Sequence, residues 1–331
     1  MTYNQTQNNN EISLMTLPVT GCVIIPCYNS EGSLPKLIER LDEILPTLFD
    51  QFEVILVNDS SRDNTWPVIV QLTEAYPWVQ GINLMRNYGQ HNTLLCGIRS
   101  ARYDYIVTMD DDLQHPPQEI AKLLALLHQG YDVVYGTPQH EQHGFLRDMA
   151  SQVTKVALQS AMGAETARKV SAFRIFRTQI REAFANYQGP FVSIDVLLTW
   201  GTTRFGAVPV RHEPRTIGVS NYTLRKLITH ALNMMTGFSV MPLQIASMIG
   251  LVMAFFSLLV LLYVVIRYLL EGTPVEGFPF LASIIGIFSG AQLLALGIIG
   301  EYLARMHFRM MDKPSYVVRE STVTTPEKVS E

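Results

Sequence analysis

The chain has 331 residues, 48% of them apolar, and a formal net charge of −4. That balance leaves no basic footprint for nucleic acid, and an odd cysteine count without zinc-type spacing (Cys22, Cys27, Cys96) argues against a disulfide framework or a zinc module. A mean hydropathy of +0.15 is high for a purely soluble chain, and the apolar excess is concentrated toward the C-terminus.

Met1 to Ser13 are polar and rich in Asn and Gln, with no basic segment leading into an apolar run; the leader, 1–18, reads as disordered rather than as a signal peptide. Short apolar runs then alternate with helical patterns. Strands are expected at Gly21–Ile25, Phe52–Val57, Val79–Leu84, Tyr105–Met109 and Tyr131–Tyr135, with helices over Ser33–Leu48, Thr65–Tyr76, Asn92–Ala101 and Pro117–His128. An amphipathic helix is expected over Phe145–Met162, strands at Phe173–Phe176 and Phe205–Val210, and helices up to Trp200 between these strands. Alternation of this kind implies a mostly parallel sheet with helices on both faces, whose ligands bind beyond the carboxyl ends of the strands.

The polar clusters fall at those ends: Tyr28-Asn29-Ser30-Glu31, Asn58-Asp59-Ser60, Arg86-Asn87 and Asp110-Asp111-Asp112. Three consecutive carboxylates repel one another when desolvated, so a cation is expected among them. Oxygen-only donors suit Mg²⁺ or Mn²⁺, which bind through one or two carboxylates plus substrate phosphates. A solvated acidic turn is the ordinary alternative for a triple Asp taken alone.

Beyond the last strand, Arg211–Tyr222 forms a polar, basic loop, and Tyr222–Met235 an amphipathic helix with Arg225 and Lys226 suited to a headgroup plane. Two uncharged stretches follow, at about 241–266 and 278–300, each long enough for the ~20 residues that cross hydrocarbon. Basic residues flank the pair on its outer sides (Arg225 and Lys226; Arg305, Arg309 and Lys313), which by the positive-inside rule puts both ends of the hairpin in the cytoplasm. The expected organisation is a leader (1–18), a catalytic domain (19–215), an interfacial loop and helix (216–238), two transmembrane helices (239–304) and a cytoplasmic tail (305–331), loose after Pro314.

The runs Val23-Ile24-Ile25-Pro26-Cys27-Tyr28-Asn29, Val57-Asn58-Asp59-Ser60-Ser61, Arg86-Asn87-Tyr88-Gly89-Gln90-His91 and Asp110-Asp111-Asp112-Leu113-Gln114-His115-Pro116-Pro117, with the Phe173-Arg174 pair and two C-terminal spans, resemble glycosyltransferase family 2 of the GT-A fold. Within it the likeness is to the polyprenyl-phosphate glycosyltransferases, such as dolichol-phosphate mannosyltransferase and the undecaprenyl-phosphate glucose and aminoarabinose transferases. The resemblance runs from about Val23 to Val318 and implies a Rossmann-like GT-A domain in a multi-pass protein of the bacterial inner membrane. It implies inverting transfer of a sugar from a nucleotide sugar, UDP-linked favoured, to undecaprenyl or another polyprenyl phosphate for the cell envelope. By the same resemblance Asp110 and Asp112 hold the metal, with Gln114 beside it as a third catalytic candidate. Pro26, Tyr28, Asn29, Glu31, Asp59, Arg86, Asp110 and Asp111 surround the nucleotide sugar; Tyr28 could instead pack over the strand end, and Glu31 cap a helix. Arg147, Arg174, Arg215 and Ser220 are candidates for the acceptor phosphate, and assembly as a tetramer is implied.

Three positions depart from the family pattern: Ala172 in place of an Asp before Phe-Arg, Asn221 where a Lys is usual, and Pro138-Gln139 where an Arg is common. Asn58 also replaces a first Asp. A catalytically inactive nucleotide-sugar-binding scaffold and a processive polysaccharide synthase are the rival readings. The latter's Gln-x-x-Arg-Trp motif is missing around Trp66, Trp78 and Trp200.

Overall fold

The computed structural model describes residues 18–138, 170–189, 192–213, 241–271 and 277–322. The expected helix Phe145–Met162, the interfacial stretch 216–238 and the leader up to residue 17 lie outside them.

Strand β1 (Thr20–Cys27) is enclosed on both faces, which is why it reads as a continuous apolar run rather than an alternating one. Its residues still alternate in direction. Val23, Ile25 and Cys27 enter a core shared with helices α1 (Leu34–Leu48), α2 (Thr65–Ala75) and α4 (Ile120–His128). Cys22 and Ile24 enter a second core, under α3 (Gln90–Ser100) and α5 (Ile194–Gly201). Helix α1 buries Leu34, Leu37, Ile38, Leu41 and Leu45, spaced as one helical stripe. Helix α3 lies close against the sheet because position 97 is glycine: a Cβ there would sit 2.4 Å from Ile24 Cγ2.

The other strands are β2 (Gln51–Asn58), β3 (Val79–Leu84), β4 (Tyr105–Thr108), β5 (Val133–Pro138), β6 (Arg174–Arg177), β7 (Phe205–Val210) and β8 (Val318–Ser321). They form one sheet in the order β7-β5-β6-β4-β1-β2-β3-β8, in which β6 and β8 are antiparallel to their neighbours and the rest run parallel. From β1 the chain first builds outward through β2 and β3, then returns to place β4 on the other side of β1. The strand order therefore reverses between β1 and β4. A crevice at the carboxyl ends of such a pair is where open α/β sheets hold ligands.

Strand β8 corrects the expectation of a loose tail after Pro314. Val318, Glu320 and Ser321 pair with Leu84, Asn83 and Ile82 across a register shift. All four β8 residues are exposed, so no buried alternation announces the strand; what holds it is the open backbone edge of β3.

Helices α6 (Met241–Glu271) and α7 (Phe278–Met310) have 31 and 33 residues, about 46 and 50 Å at 1.5 Å per residue. Their apolar windows, Leu243–Arg267 and Ile284–Ala304, have mean hydropathies of 2.9 and 1.7 and are 0% buried within the protein. A core helix of a soluble protein would bury such a surface. Here Leu251, Phe255, Leu262 and Leu293 stay exposed while the two helices pack along each other, which suits a hydrocarbon surround.

Candidate active site

The loops leaving β1, β2 and β4 each contain one non-glycine residue in left-handed backbone geometry: Asn29 (φ 56°), Ser60 (φ 56°) and Leu113 (φ 61°). Asn tolerates that region; Leu does not, and holding it there costs energy the surroundings must supply. Leu113 is 6% exposed and packed in the first core, which pins the acidic loop from below. Strain of this kind collects where backbone must be presented in a fixed shape.

The three aspartates do not act alike. Asp111 turns toward β1: its carboxylate accepts the Ser30 hydroxyl and, at 3.4 Å, the backbone N–H of Tyr28. It closes the β1–β4 crevice, and burial, with the neighbouring Asp112 charge, pushes its carboxyl above the usual range despite those two donors. Sequence placed Asp111 against the nucleotide sugar; in the structure one of its carboxylate oxygens, Oδ2, takes both contacts, with Ser30 and Tyr28. Asp110 accepts from Gln90 Nε2 at 2.7 Å, and Asp112 Oδ1 from the backbone N–H of Gln114 at 3.1 Å. These two, both part-exposed, are the oxygen donors at the rim. Among the described residues no group of three or more His, Cys, Asp or Glu converges as a cage. The donor set fits an ion that draws its other ligands from water and substrate phosphates, as Mg²⁺ and Mn²⁺ do.

Asp59, 4% exposed, uses both carboxylate oxygens as a clamp on the backbone N–H groups of Tyr88 (2.7 Å) and Gly89 (2.8 Å). Gly89 has φ +88° and leads directly into α3, a geometry that disfavours any side chain. Burial raises the Asp59 carboxyl, against the pull of those N–H groups, the Thr93 hydroxyl and Arg86. Arg86 itself is exposed, its guanidinium 4.4 Å from the Tyr88 ring centre. Glu31 accepts the backbone N–H of Asn64 at 3.0 Å, the residue preceding α2, so the helix-capping alternative describes its contact. Tyr28 is 38% exposed, leaving a ring at the crevice mouth, with Pro26 part-buried behind it.

The exit of β7 crosses the acidic loop. Glu213 donates its N–H to the Gln114 carbonyl at 2.8 Å, and Gln114 Nε2 reaches the Glu213 carbonyl at 3.5 Å. Arg211 and Lys122 meet the buried Glu119, at 3.1 and 2.6 Å. His115, 8% exposed, stacks on Phe173 and meets His212 edge-on, with ring centres 5.1 and 5.0 Å away. Its Nδ1 has no hydrogen-bond partner among the described residues. Arg147, Arg215 and Ser220 lie outside the described residues, Arg215 two positions beyond Glu213.

Arg174 is a second correction. It is 2% exposed, forms an ion pair with Asp195 and donates through Nε to Thr108 Oγ1 at 3.0 Å. Tyr135 OH donates a 3.2 Å bond to Asp195, and the Thr108 hydroxyl donates to the Ala172 carbonyl at 2.7 Å. A guanidinium enclosed in this way is not open to a lipid phosphate.

Sequence reasoning missed Gln90, Ser30 and His212. Gln90 stood inside the Arg86–His91 run, and a long amide opening a helix beside an acidic strand end was the available signal. Ser30 stood in the polar cluster Tyr28–Glu31 without a role of its own, and His212 carried no signal.

His115 gives the site a pH signature. Burial, with the facing His212, lowers it to about 4 against the Asp112 charge. A histidine that resists protonation when folded stabilises fully above its ordinary value near 6.5, and that contribution is lost as pH falls toward 4. The shift corresponds to about 3 kcal/mol at most. Thermal unfolding of the detergent-solubilised protein should therefore drop between these pH values, and His115→Phe should flatten that drop.

An open, mostly parallel sheet, a reversal point with polar strand ends and a two-aspartate rim define a GT-A glycosyltransferase domain, here joined to two lipid-type helices. Residues 22–187 match Glycosyl transferase family 2. The undecaprenyl-phosphate 4-deoxy-4-formamido-L-arabinose transferase of Shewanella sediminis (strain HAW-EB3) is 33% identical over 91% of this chain and 92% of its own. The protein of the same name from Pseudomonas savastanoi pv. phaseolicola (strain 1448A / Race 6) is 33% identical over 93% of each. Among solved structures, glucosyl-3-phosphoglycerate synthase from Mycobacterium tuberculosis, in complex with Mn²⁺, UDP and glucosyl-3-phosphoglycerate, aligns with TM-score 0.49 and 16% identity over 66% of this chain and 78% of that one. The chain belongs to glycosyl transferase family 2 and is a glycosyltransferase.

Proposed function

We propose that this chain moves a sugar from a nucleotide sugar, UDP-linked favoured, to undecaprenyl or a similar polyprenyl phosphate at the cytoplasmic face of the bacterial inner membrane, with inversion at the anomeric carbon. The observation that carries the reading is the pair Asp110 and Asp112 at the β1–β4 crevice of a domain followed by two lipid-type helices. The names of the full-length relatives support the lipid phosphate as acceptor.

Asp110 and Asp112 would hold a Mg²⁺ or Mn²⁺ ion, which when bound neutralises charge developing on the leaving nucleoside diphosphate. Tyr28 offers an exposed ring face to a base. Asp59 shapes the Arg86–Gly89 loop rather than standing free, and Arg86 brings a cation to that loop. The acceptor phosphate is anionic near neutral pH, so its attack needs alignment and charge stabilisation more than a strong base. Ala172 agrees with this, having no group to take a proton. With Arg174 enclosed, the candidate cations for the acceptor are Arg147 and Arg215, the latter two positions in sequence beyond Glu213. The basic flanks of the two helices favour the cytoplasmic orientation.

A donor screen tests the reading directly: nucleotide sugars offered one at a time to the purified membrane protein with a short-chain polyprenyl phosphate, products read by mass. One donor giving a glycosyl-phosphoprenol is the expected result. Tight UDP binding with no lipid-linked product from any donor would favour the scaffold reading.

A further inference from the structure

The segment after the second span does more than close the sheet edge. Met85 N–H donates to the Val317 carbonyl at 2.9 Å, Arg319 reaches the Met85 carbonyl at 3.1 Å, and Ser315, 2% exposed, bonds the Gly189 carbonyl at 2.8 Å. These contacts seat the tail directly before the Arg86–Gly89 loop that Asp59 clamps.

From β8 a side-chain relay runs inward beneath the strand ends. Asn83 Nδ2 donates to Glu320 Oε1 at 2.8 Å, and Asn58 Nδ2 to Asn83 Oδ1 at 2.9 Å. Asn58 Oδ1 accepts the Ser61 hydroxyl at 2.6 Å and its backbone N–H at 3.2 Å, and Ser61 Oγ accepts the backbone N–H of Asn29 at 3.0 Å. Asn29 Oδ1 in turn accepts the N–H of Arg62 at 2.9 Å. Asn58 and Asn83 are 2% and 6% exposed, so water offers their amides little alternative partner. Along the path from the Asn29 N–H through Ser61, Asn58 and Asn83 to Glu320, each proton points toward the tail, while the Arg62 N–H points back to Asn29. Its polarity is set at both ends by groups with no choice: the Asn29 N–H can only donate, and the Glu320 carboxylate can only accept. An amide at 58 is required as well, since an aspartate there would accept from Ser61 but have nothing to donate to Asn83.

We propose that the tail strand is part of the donor site, with Glu320 as a positioning residue whose carboxylate, through Asn83, Asn58 and Ser61, holds the left-handed turn at Asn29 in shape. Order at the nucleotide pocket is thereby tied to the segment leaving the second membrane helix. The catalytic consequence rests on the reading of the Tyr28–Glu31 turn as donor-binding; the mechanical link does not.

The test uses the full chain in nanodiscs, with Glu320→Lys, which presents only donors and opposes the relay's polarity, and Glu320→Gln, which can still accept. Hydrogen exchange without nucleotide is read over residues 28–31, 58–62 and the Met85 amide, and KM is measured separately for donor and acceptor. Glu320→Lys should speed exchange over 28–31 and 58–62 while Met85 stays protected, and raise the donor KM about five- to tenfold, the effect of one or two lost hydrogen bonds, with the acceptor KM unchanged. Glu320→Gln should behave like the parent. Unchanged exchange at both loops in Glu320→Lys overturns the relay. Equal loss of Met85 protection in both variants overturns the role of Glu320, because edge pairing alone would then carry the effect. Faster loop exchange with an unchanged donor KM supports the relay and overturns the donor assignment of the turn.

Discussion

Asp112→Ala is expected to reduce kcat about a thousandfold or more, since ligation that stabilises a leaving diphosphate is worth several kcal/mol and about 4 kcal/mol is a factor of a thousand. Its unfolding temperature should stay close to that of the parent, because the carboxylate is part-exposed at the rim and its bond to the Gln114 N–H is local. Asp111→Ala should give the opposite profile. That side chain ties the end of β4 to Ser30 and the Tyr28 N–H, so removing it opens the crevice and lowers stability before any question of metal arises. Measuring turnover and thermal unfolding for both variants separates the two roles. Near-normal turnover by Asp112→Ala would remove it from the metal site. Equal stability losses in both variants would mean that the acidic loop is structural throughout.

The parallel sheet was legible because β1 to β5 are short β-branched runs closed by polar loops, and interior parallel strands carry their signature in composition alone. The two long helices were legible for the same reason, though both extend beyond the expected spans. Less could be read where partners lie far apart in sequence. Nothing in Val318-Arg319-Glu320-Ser321 marks a strand, since its binding energy comes from the backbone of β3. The division of labour among Asp110, Asp111 and Asp112 depends on which way each carboxylate turns at a strand end, and a run of identical residues says nothing of that. Arg174 did leave a clue. On β6 it shares a face with Phe176, a core residue, so alternation alone would have buried the guanidinium and demanded a partner.

That buried partner sets the second large effect. Arg174→Met should destabilise the protein by about 3–5 kcal/mol, because Asp195 would keep its place under the sheet without its counter-charge. Tyr135 OH would remain as a donor to it, and Thr108 would lose the Nε–H it accepts, so the penalty falls on the carboxylate more than on the hydroxyl. In a thermal melt the loss amounts to a drop of order 10 °C. Arg174→Met combined with Asp195→Leu removes both charges and leaves apolar groups of comparable volume at two buried positions, and it should recover most of the lost stability. An acceptor-binding arginine would behave otherwise: the single variant would melt normally and show a raised KM for the lipid phosphate, and the second substitution would restore nothing. The pair of melts therefore decides whether Arg174 serves the sheet or the acceptor, and the enclosed geometry with Asp195, Tyr135 and Thr108 favours the sheet.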